Sequence, residues 1–155
     1  MIPNPSDDTI KHLLKEVRRI AVVGLSEKPD RPSYRVARYL REVGYEILPV
    51  NPRLSHWEGI PAAPSLTAIT GPIDLIDIFR KPNEVEPVVK EALAKGCRAF
   101  WLQLGIRNDA AVAPLIDRGI TVVQDLCLKI EHQRLFLEFA RIVPIFITKH
   151  PERQE

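Results

Sequence analysis

The hydrophobic positions of the chain follow two alternating patterns. Short continuous apolar runs, several of them β-branched, are typical of buried strands, whereas apolar residues spaced three and four apart are typical of helices that pack on a sheet. The runs predict strands at 18–25, 45–50, 73–79, 97–105 and 120–126. The helical spacing predicts helices at 7–17, 33–43, 85–95, 109–119 and 127–140.

Local signals refine several of these boundaries. Ser6 precedes two aspartates and suits an N-cap, Ser33 is in a position to cap the second helix, and Gly44 suits the end of that helix. The segment 53–72 is rich in Pro, Ser and Ala and predicts a short strand or turn with one brief helix. The polar end, 148–155, is expected to fray.

Strands that alternate with helices five times indicate an α/β fold. We expect a mainly parallel five-stranded sheet with helices on both faces and right-handed crossovers. In such sheets ligands bind outside the carboxyl ends of the strands, where the strand order reverses. The residues directly after each strand are therefore the candidates for a functional site.

Composition sets limits on function. The 155 residues fit one domain, 1–155, in which 1–18 form an N-terminal helix, and 45% hydrophobic with 27% charged residues is an ordinary globular balance. Neither a signal peptide nor a membrane span is predicted, so a cytoplasmic protein is expected. Two cysteines and four scattered histidines predict neither a disulfide framework nor a metal site. The net charge of +2 gives no reason to expect nucleic acid.

Arginine recurs at the predicted strand ends. The ends carry Gly24, Ser26, Arg31, Ser33 and Tyr34; Asn51, Pro52 and Arg53; Phe79 and Arg80; Gln103, Gly105, Ile106 and Arg107; and Asp125 and Cys127. Because a guanidinium binds phosphate oxygens in a bidentate manner, this edge is expected to hold phosphate.

The loop after the first strand has one glycine where a dinucleotide fingerprint has three. Gly24 allows a turn and a close approach to the backbone, Ser26 and Ser33 offer hydroxyls, and the following helix offers free N–H groups. Taken singly, Ser33 is equally well a helix cap and Arg31 a solvated surface residue. As a set after the first strand of a parallel sheet, they favour phosphate binding.

The second strand bears on which nucleotide is bound. An NAD site requires an acidic residue there to hold the ribose hydroxyl, but this strand ends in Asn51, Pro52 and Arg53. A ligand with an additional ribose phosphate fits better, which leaves NADP and coenzyme A. The missing glycines count against NADP.

Five motifs in order resemble the small stand-alone CoA-binding proteins. They are VGLSEKPDRPSYRVARYL (23–40), GYEILPVNP (44–52), DIFR (77–80), WLQLGI (101–106) and DLCLKIE (125–131). These proteins are similar to the N-terminal CoA-binding domain of the succinyl-CoA synthetase α subunit. The resemblance covers residues 20–134 and implies a Rossmann-like fold with coenzyme A as ligand.

The resemblance also implies roles for individual residues. Gly24, Ser26, Ser33 and Tyr34 would line the phosphates, Arg53 would meet the nucleotide end, Phe79 and Arg80 the adenine side, and Gln103, Gly105 and Ile106 the pantetheine path. The synthetases also carry a ligase domain with a phosphorylated histidine, and this activity is not expected here.

Catalytic candidates are few. Cys127 lies at the start of a predicted helix, and a helix N-terminus lowers the pKa of a thiol, but a packed, unreactive cysteine is the commoner case. His132 is likewise expected to be a surface or packed histidine rather than a catalytic one. Asp77 interrupts a strand and is expected to be half-buried and paired with an arginine or a backbone amide. Both tryptophans are expected to pack.

Three functions follow from the sequence. The first is a protein that binds CoA or acyl-CoA without chemistry of its own. The alternatives are an NADP-dependent oxidoreductase and a CoA-binding subunit of an acyl-CoA synthetase whose ligase part is on another chain. The expected partners are the small-molecule ligand and either a second copy of the chain or a synthetase subunit, with no nucleic acid and no membrane.

Overall fold

A computed structural model of the protein describes residues 1–137. The helices within this range are α1 (Asp7–Glu16), α2 (Pro32–Glu42), α3 (Val85–Lys95), α4 (Asp109–Asp117) and α5 (Leu128–Phe136). The strands are β1 (Arg19–Val23), β2 (Glu46–Val50), β3 (His56–Trp57), β4 (Ile60–Pro61), β5 (Leu75–Ile78), β6 (Ala99–Leu102) and β7 (Thr121–Val123). The predicted closing helix is thus present to Phe136; its end at 138–140 and the polar segment 148–155 lie outside the described residues.

The main sheet has the strand order β2-β1-β5-β6-β7, and every neighbouring pair is parallel. The chain leaves β1 toward β2 on one side and later returns to the other side of β1 as β5. The order of the strands therefore reverses between β1 and β5. The predicted Rossmann-like α/β fold with a five-stranded parallel sheet is confirmed.

Helices cover both faces of this sheet, as predicted. One face presents Ile20, Val22, Leu75, Trp101 and Val123, which pack in a core with α1, α2 and α5. The opposite face presents Ala21, Val23, Ile76, Ile78 and Phe100, which pack with α3 and α4. Successive side chains of a strand point to opposite faces, so strands buried on both sides need the continuous apolar runs seen in the sequence.

The segment between β2 and β5 contains a two-stranded hairpin and a short 3-10 helix. β3 pairs with β4, and the 3-10 helix spans Leu66–Ala68, in agreement with the short strand and brief helix that were predicted. Ala63 forms an isolated parallel bridge to Val50 on the free side of β2. The chain therefore returns to the carboxyl end of the sheet before it enters the 3-10 helix.

Ser6 caps α1 as predicted, and its side chain accepts a hydrogen bond from the N–H of Thr9. The predicted cap at Ser33 is wrong. Arg31 is the N-cap residue of α2 and makes no side-chain cap bond, while Pro32 takes the first helical position. Proline favours this position because its fixed φ suits a helix and its missing N–H costs nothing there.

The two aspartates around β5 have opposite environments. Asp74 accepts hydrogen bonds from the N–H groups of Arg18 and Arg19 at 2.9 and 2.8 Å, which fixes the start of β1 against β5. Asp77 is fully buried, and within residues 1–137 neither of its carboxyl oxygens has a hydrogen-bond partner. The predicted half-buried, paired Asp77 is therefore wrong, because the register places it between Val22 and Trp101 inside the core.

Within the described range, the helices are all too short or too polar to cross a bilayer. The same residues contain no group of three or more His, Cys, Asp or Glu side chains arranged to hold a metal ion.

Candidate ligand site at the carboxyl edge of the sheet

Gly24 follows β1 at the point where the strand order reverses. Its φ is +85°, and its N–H donates to the carbonyl of Val50 at the end of β2. A Cβ atom at this position would lie 2.3 Å from the carbonyl oxygen of Phe79, whose N–H donates to Val23. The ends of β1, β2 and β5 therefore meet at Gly24, and only glycine fits between them.

Two serine hydroxyls, from the loop after Gly24 and from the start of α2, accept hydrogen bonds from the backbone of this loop. The N–H of Ser26 donates to Oγ of Ser33 at 3.0 Å, and the N–H of Lys28 donates to Oγ of Ser26 at 3.0 Å. Ser33 is 5% exposed. Its hydroxyl thus shapes the loop, while the N–H groups of the first turn of α2 have no acceptor within the helix.

Asn51 ties the end of β2 to this loop. Its amide Nδ2 donates to the carbonyl of Leu25 at 3.1 Å, and its Oδ1 accepts from the N–H of Arg53 at 3.0 Å. The second bond forms a turn that projects the exposed Arg53 from the edge of the sheet. Asn51 therefore positions its neighbours by using both ends of its amide.

A small cavity of about 160 Å³ lies between the ends of β1 and β2 and the start of the 3-10 helix. Its walls are mostly aliphatic or proline, with Ser65, Arg80 and Glu91 as the polar members: Val23, Val50, Pro52, Pro64, Ser65, Leu66, Arg80, Val88 and Glu91. One oxygen of Glu91 accepts from the N–H of Leu66 at 2.8 Å, and its second oxygen remains available.

A larger cavity of about 560 Å³ lies on the other side of Arg80, between the starts of α2 and α5. Its lining is largely apolar: Pro32, Val36, Phe79, Arg80, Lys81, Pro82, Gln103, Leu104, Ile106, Cys127 and Ile130. This volume lies within the range of pockets that enclose small organic ligands. Oε1 of Gln103 accepts from the N–H of Leu128 at 3.1 Å, which orients the Gln103 amide at the start of α5.

Arg80 lines both cavities, so it stands between them at the reversal of strand order. Neither Arg80 nor the exposed Arg31 and Arg53 forms an ion pair with any residue in the range 1–137. Of the nine other arginines in this range, five have carboxylate partners: Arg19, Arg38, Arg41, Arg107 and Arg134. The edge thus carries three guanidinium groups that form no ion pair within residues 1–137.

The structure brings some predicted site residues together and separates others. Phe79, Arg80, Gln103 and Ile106 share the larger cavity, and Pro52 and Arg80 share the smaller one. Phe79 was expected on the adenine side with Arg80, but it lines only the larger cavity, together with the residues expected along the pantetheine path.

Tyr34 and Gly105 line neither cavity. The hydroxyl of Tyr34 donates to Glu58, and its ring packs edge-on against Trp57 at 5.5 Å between centroids. The N–H of Gly105 donates to Oδ1 of Asp125 at 2.6 Å, which joins the loops after β6 and β7. Side-chain contact of Tyr34 with a phosphate, and contact of Gly105 with a ligand, stay predictions.

Sequence reasoning missed the residues that complete both cavities. Ser65, Val88 and Glu91 come from the 3-10 helix region and α3 rather than from a strand end, and no local pattern marks them. Leu104 and Ile130 carried a weak signal, since each is a large apolar residue near the end of a predicted strand or the start of a predicted helix. They are 66% and 52% exposed.

The two cysteines and His132 occupy different environments. Cys127 is the N-cap residue of α5 and lines the larger cavity. His132 lies outside both cavities, with Nδ1 at 2.6 Å from the hydroxyl of Tyr39 and its ring stacked on Phe136, and burial lowers its pKa. Cys97 also lies outside both cavities, and burial raises its pKa to about 11.

These features define a Rossmann-like α/β protein with two cavities on either side of the strand-order reversal. A family model described as a CoA binding domain matches residues 18–133. The chain belongs to this CoA-binding domain family.

The relatives differ in how much of their own length this chain matches. The uncharacterized protein YneT of Bacillus subtilis (strain 168) is 43% identical over 129 residues, which cover 83% of this chain and 96% of the relative. The solved structure of cell-free ID.343 from Thermus thermophilus is 41% identical with a TM-score of 0.81, over 84% of this chain and 99% of that one. The α subunit of acetate–CoA ligase [ADP-forming] II of Pyrococcus furiosus is 34% identical over 82 residues, 52% of this chain but only 18% of that subunit.

Proposed function

We propose that this protein binds coenzyme A, free or acylated, along the carboxyl edge of its sheet and contributes no catalytic group of its own. The observation that carries the proposal is the placement of Arg80 between a small cavity and a larger, apolar one. A ligand with a nucleotide head, a charged centre and a long arm matches this arrangement. Coenzyme A has these three parts in this order.

The diphosphate is assigned to the reversal point between β1 and β5. Gly24 has no Cβ, so the end of β1 can lie directly against the carbonyl of Phe79 after β5, which brings the turn after β1 to the reversal point. The first turn of α2 offers N–H groups and the positive end of the helix dipole, and Arg80, which forms no ion pair within residues 1–137, supplies a guanidinium. Ser33 and Tyr34 contribute to this site through the backbone of that turn.

The adenosine is assigned to the smaller cavity. Val23, Val50 and Val88 offer aliphatic surfaces on which a flat purine packs, and Glu91 keeps one carboxylate oxygen that can accept from the exocyclic amino group. Arg53, projected by the Asn51 turn, is assigned to the ribose 3′-phosphate. Charge-assisted contacts of this kind are the strong ones.

The pantetheine arm is assigned to the larger cavity, along Phe79, Gln103 and Ile106. The arm alternates aliphatic segments with amides and therefore suits an apolar wall with a few polar groups. Because the side-chain oxygen of Gln103 accepts from the N–H of Leu128, the side-chain nitrogen of Gln103 is the group that can donate to a ligand carbonyl.

The lining of the larger cavity supports binding rather than an oxidoreductase or acyl-transfer reaction. Cys127 has no histidine or carboxylate beside it among the lining residues, all of which belong to the described range. Nucleophilic catalysis needs a base within hydrogen-bond reach of the nucleophile. The turn at Gly24 also lacks the second and third glycines that a dinucleotide pyrophosphate requires.

Isothermal titration with CoA, NADP and NAD tests the proposal directly. Binding of CoA that is tighter than binding of either dinucleotide is expected, and Arg80→Ala should weaken it. Arg38→Ala is the matched control, because Arg38 lines neither cavity and only pairs with Glu42 on the surface of α2. Tighter binding of NADP, or no binding of CoA by the folded protein, would overturn the proposal.

A second candidate is a CoA-binding subunit of an acyl-CoA synthetase. The observation that favours it is the similarity to part of the acetate–CoA ligase α subunit. Pull-down of the tagged chain from its native lysate, with and without CoA, tests it through mass spectrometry of what is recovered. Recovery of a chain with ligase domains would support this function, and a CoA-bound chain recovered alone would contradict it.

A further inference from the structure

We infer that the preferred ligand is a CoA thioester whose acyl group is an uncharged aliphatic chain, rather than free CoA or a thioester with a terminal carboxylate. The inference rests on the proposed function and specifies the substrate class of the larger cavity. It follows from how polar and apolar groups are distributed along that cavity.

The larger cavity runs along the edge of the sheet, away from the reversal point. Arg80 and Lys81 follow β5, Gln103 and Leu104 follow β6, and Cys127 leads from β7 into α5. Since neighbouring strands lie about 4.8 Å apart, the far end lies roughly 10 Å from the end of β5. A ligand whose phosphates are held at Arg80 therefore directs its arm toward Cys127 and Ile130.

Charge is confined to the near end of this path. The lining cations are Arg80 and Lys81, both at the exit of β5, whereas the far end is formed by Leu104, Cys127 and Ile130. None of these three side chains can pair with a carboxylate. A terminal carboxylate would therefore lose water there without gaining a charged side chain as a partner, which is costly.

Two exposed apolar side chains mark the far end. Leu104 and Ile130 are 66% and 52% exposed, and they are two of the five large hydrophobic residues that are exposed within residues 1–137. Both line the same cavity. An aliphatic chain beyond the thiol would cover them, and free CoA would not extend an apolar group over them.

One polar group suits the thioester itself. The oxygen of Gln103 is occupied by the N–H of Leu128, so its amide nitrogen is the donor presented along the arm. A thioester has a carbonyl oxygen that can accept from this donor, and a thiol has only a weak acceptor sulfur. The cavity therefore offers one donor followed by an apolar end.

Titration with a series of ligands tests the inference, with a reductant present to keep Cys127 and the ligand thiol from forming a disulfide. The probes are CoA, acetyl-CoA, butyryl-CoA, hexanoyl-CoA and succinyl-CoA. Each methylene that becomes buried should tighten binding about fourfold. Butyryl-CoA should also bind more tightly than succinyl-CoA, which has a chain of the same length that ends in a carboxylate.

The outcomes separate the inference from the proposed function. If no member of the series binds to the folded protein, both fail. If CoA binds but butyryl-CoA is no tighter, or succinyl-CoA is tighter than butyryl-CoA, the proposed function stands and the inference is overturned.

A pair of variants locates the effect. Ile130→Ser should flatten the dependence of affinity on chain length, measured as the ratio of the hexanoyl-CoA and acetyl-CoA dissociation constants. Ile116→Ser is the matched control, because Ile116 is also exposed on a helix, α4, but lines neither cavity. An unchanged ratio in Ile130→Ser, in a variant that remains folded, would place the acyl group elsewhere.

Discussion

A Cβ atom on Gly24 would lie 2.3 Å from the carbonyl oxygen of Phe79. The close approach of Gly24 to Phe79 joins the exits of β1 and β5, two strands that lie more than fifty residues apart in sequence and side by side in the sheet. It brings the backbone turn after β1 to the point where the order of the strands reverses. The same backbone is assigned above to the ligand diphosphate.

Gly24→Ala should therefore lower the free energy of unfolding more than an alanine in a left-handed turn normally does. Gly59→Ala is the matched control, since Gly59 has φ +80° but no heavy atom within 4 Å of the added Cβ. Both variants carry the backbone cost of about 1–2 kcal/mol, and only Gly24→Ala adds overpacking of about 1–3 kcal/mol. Urea denaturation of the two variants measures the difference, and equal losses would contradict the close contact.

Arg53→Ala should weaken binding of CoA more than binding of 3′-dephospho-CoA. The loss of a charge-assisted hydrogen bond typically costs about 1.5–3 kcal/mol, and only CoA carries the phosphate assigned to this arginine. Calorimetric titration of both ligands against both proteins gives the difference. The same loss for both ligands would reject the assignment of Arg53 to the 3′-phosphate.

The buried Asp77 should make the protein less stable as the pH rises. Burial raises the pKa of Asp77 well above its usual range. Above about pH 3.9 the unfolded chain releases this proton, whereas the folded chain keeps it up to its own higher pKa. The free energy of unfolding should therefore fall with increasing pH in this window, by at most about 1.4 kcal/mol per pH unit.

Asp77→Asn isolates this effect because the amide keeps the shape and does not ionise. The difference in unfolding free energy between the native protein and Asp77→Asn, measured by urea denaturation from pH 4 upward, should shift in favour of the variant as the pH rises. A difference that stays constant across that range would show that Asp77 is not held protonated.

His132 should make the protein less stable as the pH falls, in contrast to Asp77. Burial lowers its pKa, so below about pH 6.5 the unfolded chain takes up a proton that the folded chain resists. The free energy of unfolding should fall as the pH decreases from there toward the folded pKa. His132→Phe keeps a ring beside Tyr39 and Phe136 but cannot titrate, and its stability relative to the native protein should improve from pH 7 to pH 5; no change would contradict the prediction.

Much of the fold could be predicted because its signals are local. The apolar run around Val22 and the spacing of Val36 and Leu40 each report the environment of a single element. Their order then implies a parallel sheet with helices on both faces. The arginines after the strands were found in the same way, since Arg53 and Arg80 need only a predicted strand end before them.

The remainder of the site could not be predicted because it depends on contacts between distant segments. The sequence predicted Ser33 as a helix cap, but in the folded loop its hydroxyl accepts a hydrogen bond from the N–H of Ser26. Glu91 lies in the middle of α3, and only the packing of that helix against the 3-10 segment brings it to the smaller cavity.

The sequence alone thus determined the order and type of the elements and the family, because periodicity and motif are properties of contiguous residues, and it predicted the carboxyl edge as the place for a ligand. The tertiary structure alone decided that β5 lies beside β1, that Arg80 stands between two cavities, and that Asp77 has no hydrogen-bond partner among residues 1–137. Which strands lie side by side and which residues are buried depend on contacts between segments distant in sequence, and a local sequence pattern does not contain those contacts.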